Sequence, residues 1–192
     1  MFKAKRRTVV TVTAVVAVLL AGALAVTLLT QGKGNASDTN GNTVEYQPGH
    51  RPLAPDFTAT SLTGTTIKLS SYLGKTVVLN FWGSWCPPCR GEAGTLALLD
   101  QKYQSQGVAF LGDDVGDTPQ NALAFTSKVG ITYPSINDPG YAVVQQFSQV
   151  APVSDTPTTV VIDKTGHIAG MVVGAVGYGE MTTLLRDAAV TK

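Results

Sequence analysis

Asn80-Phe81-Trp82-Gly83-Ser84-Trp85-Cys86-Pro87-Pro88-Cys89-Arg90 holds the only two cysteines of a 192-residue chain, three positions apart. A structural disulfide stabilises chiefly by constraining the unfolded chain, and the gain grows with the length of the loop it closes. A loop this short gains little. Two thiols this close, behind an aromatic and at a proline start signal for a helix, read instead as a couple that is oxidised and reduced in turn. Cys86 falls just before the first helical turn, where the positive end of the helix dipole favours a thiolate, so it is the candidate nucleophile. Cys89, one turn on and expected to be the more buried, is placed to attack a mixed disulfide and release the partner. Pro87 and Pro88 fit the first turn, where missing N–H groups cost little, and they stiffen it. They also remove two donors that could stabilise a thiolate, which points to a less acidic Cys86, a more stable disulfide and hence a reductant. Zinc would need four ligands, and only the remote His50 and His167 could join the two sulfurs, so neither metal nor cofactor is expected.

Outward from this motif the chain alternates short strands and helices. Thr76 to Trp82 (TVVLNFW) is a largely apolar run suited to a strand buried on both faces. Upstream, Asp56 to Thr60 and Thr65 to Leu69 flank Gly64 as a hairpin. Downstream, Ala93, Leu96, Leu99 and Tyr103 recur at helical spacing until Gly107, which stops the helix. Gly107 to Leu111 reads as a second buried strand, Pro119 to Lys128 as a second helix and Tyr141 to Phe147 as a short third. Thr158 to Ile162 and Ile168 to Val173 form a hairpin through Lys164-Thr165-Gly166, before a final helix from Gly179 to about Val190. The pattern predicts an α/β fold: an open mixed sheet with helices on both faces, over residues 53–192.

The N-terminal part has a different character. Lys3, Lys5, Arg6 and Arg7 crowd residues 1–7, and Thr8 to Thr30 then runs without a charged residue. At about 1.5 Å per helical residue that run is long enough to cross a hydrocarbon core of roughly 30 Å. It is read as a retained transmembrane signal-anchor over 8–30, with residues 1–7 cytoplasmic and everything after it outside the cytoplasm. Ala23-Leu24-Ala25 supplies the competing reading, a cleaved secretory signal, which leaves the compartment unchanged. Residues 31–52, rich in Gly, Asn, Ser and Thr, read as a flexible linker. The overall balance of 14 basic to 13 acidic residues gives no sign of nucleic-acid binding.

The run from Asn80 to Arg90, together with Thr156-Pro157-Thr158-Thr159 to Ile162-Asp163, resembles the thioredoxin-like proteins of the TlpA/ResA/CcmG group over roughly Pro52 to Val190. The resemblance implies a thioredoxin-like fold, a membrane-tethered extracytoplasmic location, and thiol-disulfide exchange with client proteins that carry disulfides or thiols. It further implies a membrane thiol carrier as electron donor and apocytochrome c cysteines as one client. Thr156-Pro157 matches the family's cis-proline beside the active disulfide, where the backbone of Thr156 offers hydrogen bonds to an extended partner. The preceding loop, Gln149 to Asp155, looks longer than usual in the family. Trp85 would be an exposed aromatic beside Cys86 that contacts partners. Asn80 stands where thioredoxins carry a buried aspartate and cannot act as a base. Val115-Gly116-Asp117 matches a Val-Gly-acid pattern of the ResA branch, which makes Asp117 a candidate proton acceptor, with Asp114 and Glu92 behind it; the competing reading of Asp117 is a helix cap.

Other classes make different demands. A thiol peroxidase needs a peroxide-activating cysteine in its own motif, and both cysteines are already committed to the pair. A tethered binding module has no use for both cysteines. An extracytoplasmic oxidase that introduces disulfides is the rival within the same chemistry.

Overall fold

The structure, a computed structural model, describes residues 36–38 and 42–189. The expected membrane span Thr8–Thr30 lies outside them; among the described residues no helix is long and apolar enough to cross a membrane. Strands β1 (Ala36–Asp38), β2 (Thr43–Tyr46), β5 (Thr76–Trp82), β6 (Val108–Val115), β7 (Ser135–Asp138), β8 (Thr158–Ile162) and β9 (Ile168–Val173) form one seven-stranded sheet in the order β1-β2-β9-β8-β5-β6-β7. β5, β6 and β7 run parallel, whereas β8, β9, β2 and β1 add antiparallel. A small hairpin, β3 (Thr58–Thr60) and β4 (Thr66–Lys68), forms a second, two-stranded sheet, and just after β3 the chain bridges to β7 at Ser61 and Ile136.

All seven residues of β5 are buried, as its apolar run requires of a central strand. Its alternating side chains separate two cores. Val77, Leu79 and Phe81 face one, where Phe57 and Phe81 both pack on Phe147, with ring centroids 6.3 Å and 5.5 Å apart where Phe57 and Phe81 respectively meet it. Val78 faces the other with Phe110, Leu96 and Leu99, the last two from α1 (Pro87–Tyr103), and Met181 and Leu184 from α4 (Tyr178–Ala188). Each fully buried side chain of this size contributes on the order of 1.5–3 kcal/mol relative to exposure. α2 (Pro119–Val129) starts at Thr118, whose side chain accepts from the Asn121 N–H, and α3 (Ala142–Phe147) sends Val143 and Phe147 into the Phe81 core.

The observed elements depart from the sequence reading in three places. Thr43–Tyr46, inside the expected flexible linker 31–52, is a strand paired antiparallel with β9, with Thr43 and Tyr46 buried. The second buried strand does not stop at Leu111 but continues to Val115 through Gly112, Asp113 and Asp114, whose strand propensity is poor and whose place is fixed by pairing on both sides. Ser135–Asp138, unpredicted, pairs parallel with that extension and forms the far edge.

Close approach explains how β2 is seated. A Cβ at Gly170 would lie 2.8 Å from the Val44 carbonyl oxygen and 2.9 Å from Leu184 Cδ2, so only glycine lets β2 and α4 meet β9 there. Gly170→Ala should therefore lower the unfolding free energy by about 1–3 kcal/mol, read as an earlier urea midpoint of the full chain. An unchanged midpoint would mean that β2 does not rest on β9.

Candidate active site

The carboxyl end of β5 delivers the chain into Gly83-Ser84-Trp85 and then to α1, and the local sequence dictates how. Cys86 is the N-cap in extended conformation, with Pro87 and Pro88 at the first helical positions and its sulfur accepting from the Cys89 N–H at 3.2 Å. Cys86 and Cys89 are joined as a disulfide, with Cα atoms 5.4 Å apart. The expectation that Cys89 is the more deeply buried does not hold in this state. Cys86 is 1% and Cys89 2% exposed, because Trp82, Leu62, Ala122 and Phe125 close around both.

The end of β6 holds the loop in place. Asp117 accepts from the Ser84 N–H at 2.9 Å and from the Thr118 N–H at 2.7 Å, and these bonds keep its carboxyl below the ordinary value despite some desolvation. Trp85 donates from Nε1 to the Val115 carbonyl at 3.1 Å and folds across Gly83, where a Cβ would meet its ring at 2.4 Å. The indole is thus pinned at one edge while 48% of the residue stays exposed. Arg90 donates from Nε to the Ser84 carbonyl at 2.7 Å, the third clasp on the same loop.

Thr156-Pro157 is cis, and the Thr156 carbonyl oxygen lies 3.6 Å from Cys86 Sγ. The loop before it is tied down: Ala151 and Val153 enter the Phe81 core, and Thr158 Oγ1 donates to the Asp155 carbonyl at 2.6 Å. The structure therefore brings Trp85, Cys86, Pro87, Pro88, Cys89, Thr156 and Pro157 to one end of the sheet. Asp117 joins them through backbone amides, which leaves its carboxylate engaged in holding the loop.

Glu92, ranked behind Asp117 by sequence, occupies the place of most chemical interest. It lies three residues beyond Cys89, on the same side of α1, and is 3% exposed. Its Oε1 accepts from Asn80 Nδ2 at 2.8 Å and its Oε2 from the Val176 N–H at 2.7 Å. Asn80 spends its other amide proton on Thr159 Oγ1 at 2.9 Å. Burial drives the carboxyl up and the Val176 and Asn80 hydrogen bonds pull it back, leaving it at about 7. A group poised there can take or give a proton at neutral pH. Asp114 is also buried; desolvation and the nearby Asp117 charge raise it to about 7, and its oxygens have no hydrogen-bond partner among the described residues. Asn80 was the overlooked signal, since a carboxamide on a fully buried strand must find partners and here finds Glu92.

Known proteins share this fold. A secreted thiol-disulfide isomerase from Corynebacterium glutamicum superimposes with a TM-score of 0.72 at 30% identity, over 81% of this chain and all of that one. A thioredoxin family thiol:disulfide interchange protein from Chlorobium tepidum does so with 0.65 at 25% identity, over 79% of this chain and 99% of that one. Thiol-disulfide oxidoreductase ResA from Geobacillus thermodenitrificans is 38% identical over 121 residues, 63% of this chain and 67% of its own. The protein is a thiol-disulfide oxidoreductase of thioredoxin-like fold. The AhpC/TSA family matches residues 51–171, and the chain belongs to that family, in which it is ResA-like.

Glu92 makes stability depend on pH in a defined direction. Between its ordinary value of 4.5 and about 7 the folded state binds a proton that the unfolded state releases, so stability declines as pH rises through that window and levels off above it. Glu92→Gln should remove roughly 3 kcal/mol of this decline, measured by urea unfolding at successive pH values, while Asp114 keeps a residual slope. Parallel curves for the two proteins would show that Glu92 titrates normally.

Proposed function

We propose that this protein is a membrane-anchored reductase of disulfides in extracytoplasmic client proteins. The charge-free run Thr8–Thr30 behind four basic residues supports an anchor with the catalytic domain outside the cytoplasm, and the secreted character of the Corynebacterium isomerase supports the extracytoplasmic side alone. Cys86 is the nucleophile: its thiolate attacks one sulfur of a client disulfide, and the other client sulfur leaves as a thiolate that takes a proton from solvent. Cys89 then gives its proton to the ionised Glu92 carboxylate and attacks Cys86 in the mixed disulfide. The client departs as a dithiol carrying two electrons, and the Cys86–Cys89 disulfide is reduced again by a membrane thiol donor. Trp85 and the Thr156 backbone position the client, and Asp117 positions the loop beneath it. Apocytochrome c cysteines are the client class that the resemblance of the Cys86–Cys89 and Thr156–Pro157 motifs to the TlpA/ResA/CcmG group suggests.

The observation that carries the reductive direction is the poverty of donors to Cys86. Pro87 and Pro88 have no N–H, and among the described residues the Cys89 N–H is the one backbone donor on its sulfur. The Thr156 carbonyl 3.6 Å away is an acceptor, which favours a thiol over a thiolate. A poorly stabilised thiolate means a stable disulfide and a low potential. Equilibrated against a defined thiol buffer at pH 7, the couple should sit near or below about −270 mV; a value near about −120 mV would make the protein an oxidant. Cys89→Ser should accumulate a mixed disulfide through Cys86 on non-reducing gels, and Cys86→Ser should accumulate none.

A further inference from the structure

Beside Trp85, between the first turns of α1 and the face of α2, lies an open groove of about 670 Å³. Its floor is apolar: Ala124, Phe125 and Val129 line it with Trp85, and Phe125 packs on Trp82 with ring centroids 5.4 Å apart. Its walls carry Arg90 and Lys128, and among the described residues no carboxylate lines it. The ion pairs among the described residues are Arg51–Asp163 and Arg186–Asp187, so neither groove cation is paired with a carboxylate among those residues. Arg90, which lines the groove, spends Nε on the Ser84 carbonyl and keeps its terminal nitrogens for a ligand. The nearest carboxylate along the loop, Asp117, is turned toward the Ser84 and Thr118 amides.

We infer that this groove docks a client segment that carries an aspartate or glutamate next to an apolar side chain, a few residues from the client's reactive cysteine. The inference rests on the exchange reading above and deepens it by naming what selects the client. Trp85 both precedes Cys86 in the chain and lines the groove, so a client whose cysteine reaches Cys86 brings its neighbours on that side to the groove. An extended chain advances about 3.3 Å per residue, so two to four residues, roughly 7–13 Å, carry it across. There an apolar side chain meets the Phe125 floor and a carboxylate meets Arg90 and Lys128, whose attraction is increased by the low-dielectric floor. Charge of this kind sets partner choice and encounter rate more than raw affinity. The groove lies on the Trp85 side of the disulfide, so it selects independently of strand-like pairing at Thr156.

The test uses the full-length chain in nonionic detergent and two synthetic peptides with serine in place of the reactive cysteines, so that binding is read without exchange. One peptide carries glutamate beside leucine three residues from the serine; the other carries glutamine there. The acidic peptide should bind about fivefold more tightly at low salt by Trp fluorescence. The preference should vanish in Lys128→Glu, survive in Lys128→Arg, and fade above about 0.5 M salt as screening takes over. Equal affinity of the two peptides for the native chain overturns the inference, and so does displacement of the acidic peptide by phosphatidylglycerol in the micelles in preference to other acidic peptides. A parallel assay with the cysteine-containing disulfide peptides separates the two readings. Failure to exchange with either one sinks the proposed activity, whereas the binding comparison still decides the groove.

Discussion

One buried carboxyl ties the site to the fold. Glu92 accepts from Asn80 on β5 and from the Val176 N–H in the turn between β9 and α4, so strand, active-site helix and C-terminal turn meet at its two oxygens. Such a group is expensive to desolvate and is tolerated because both oxygens are hydrogen-bonded. The balance leaves it at about 7, neither a fixed anion nor a permanent acid. The disulfide helix is therefore seated on an ionisable support. Glu92 stands three residues beyond Cys89 on the same helix, and that placement is the ground for the proposed link between its protonation and the cysteine pair.

Opposing preferences are also set against each other at Cys86. The helix N-terminus favours a thiolate, whereas two prolines withhold donors and the Thr156 carbonyl favours a thiol. The loop before Cys86 has no freedom to relieve the conflict, because Asp117, Val115 and Arg90 clasp its backbone and the Trp85 ring from three directions. Rigidity here serves exchange: a client sulfur must approach in line with the breaking bond, and a fixed platform limits the orientations to be searched. The apolar cavity of about 250 Å³ near Leu53 and Tyr72 plays no part, since it lies at the opposite end of β5.

How much of this was legible in the chain depends on how local each signal is. The β5 strand, the Pro-Pro helix start, the Gly107 stop and the last hairpin follow from neighbours in sequence, and each was read correctly. The continuation of β6 through Gly112-Asp113-Asp114 was hidden because those residues disfavour strands until two flanking strands pair with them. β2 was hidden by the Gly/Asn-rich stretch around it, although Thr-Val-Glu-Tyr carries a β-forming pattern. Glu92 was underrated because Arg90-Gly91-Glu92 looks solvated, and its partner Val176 is 84 residues away. For Asp117 the sequence leaves proton acceptor and helix cap open; the structure makes Thr118 the cap and gives the Asp117 carboxylate two backbone amides, one of them in the cysteine loop.

The central claim is that the protonation of Glu92 and the redox state of Cys86 and Cys89 are linked, and the reduction potential measured from pH 5 to 9 tests it most directly. For a two-electron couple, each proton gained or lost with reduction changes the slope by about 30 mV per pH unit. The native chain should bend near pH 7, and Glu92→Gln should lack that bend while keeping any due to the cysteines. Superimposable curves from the two proteins would contradict the account, leaving Glu92 a buried structural carboxyl with no share in the chemistry.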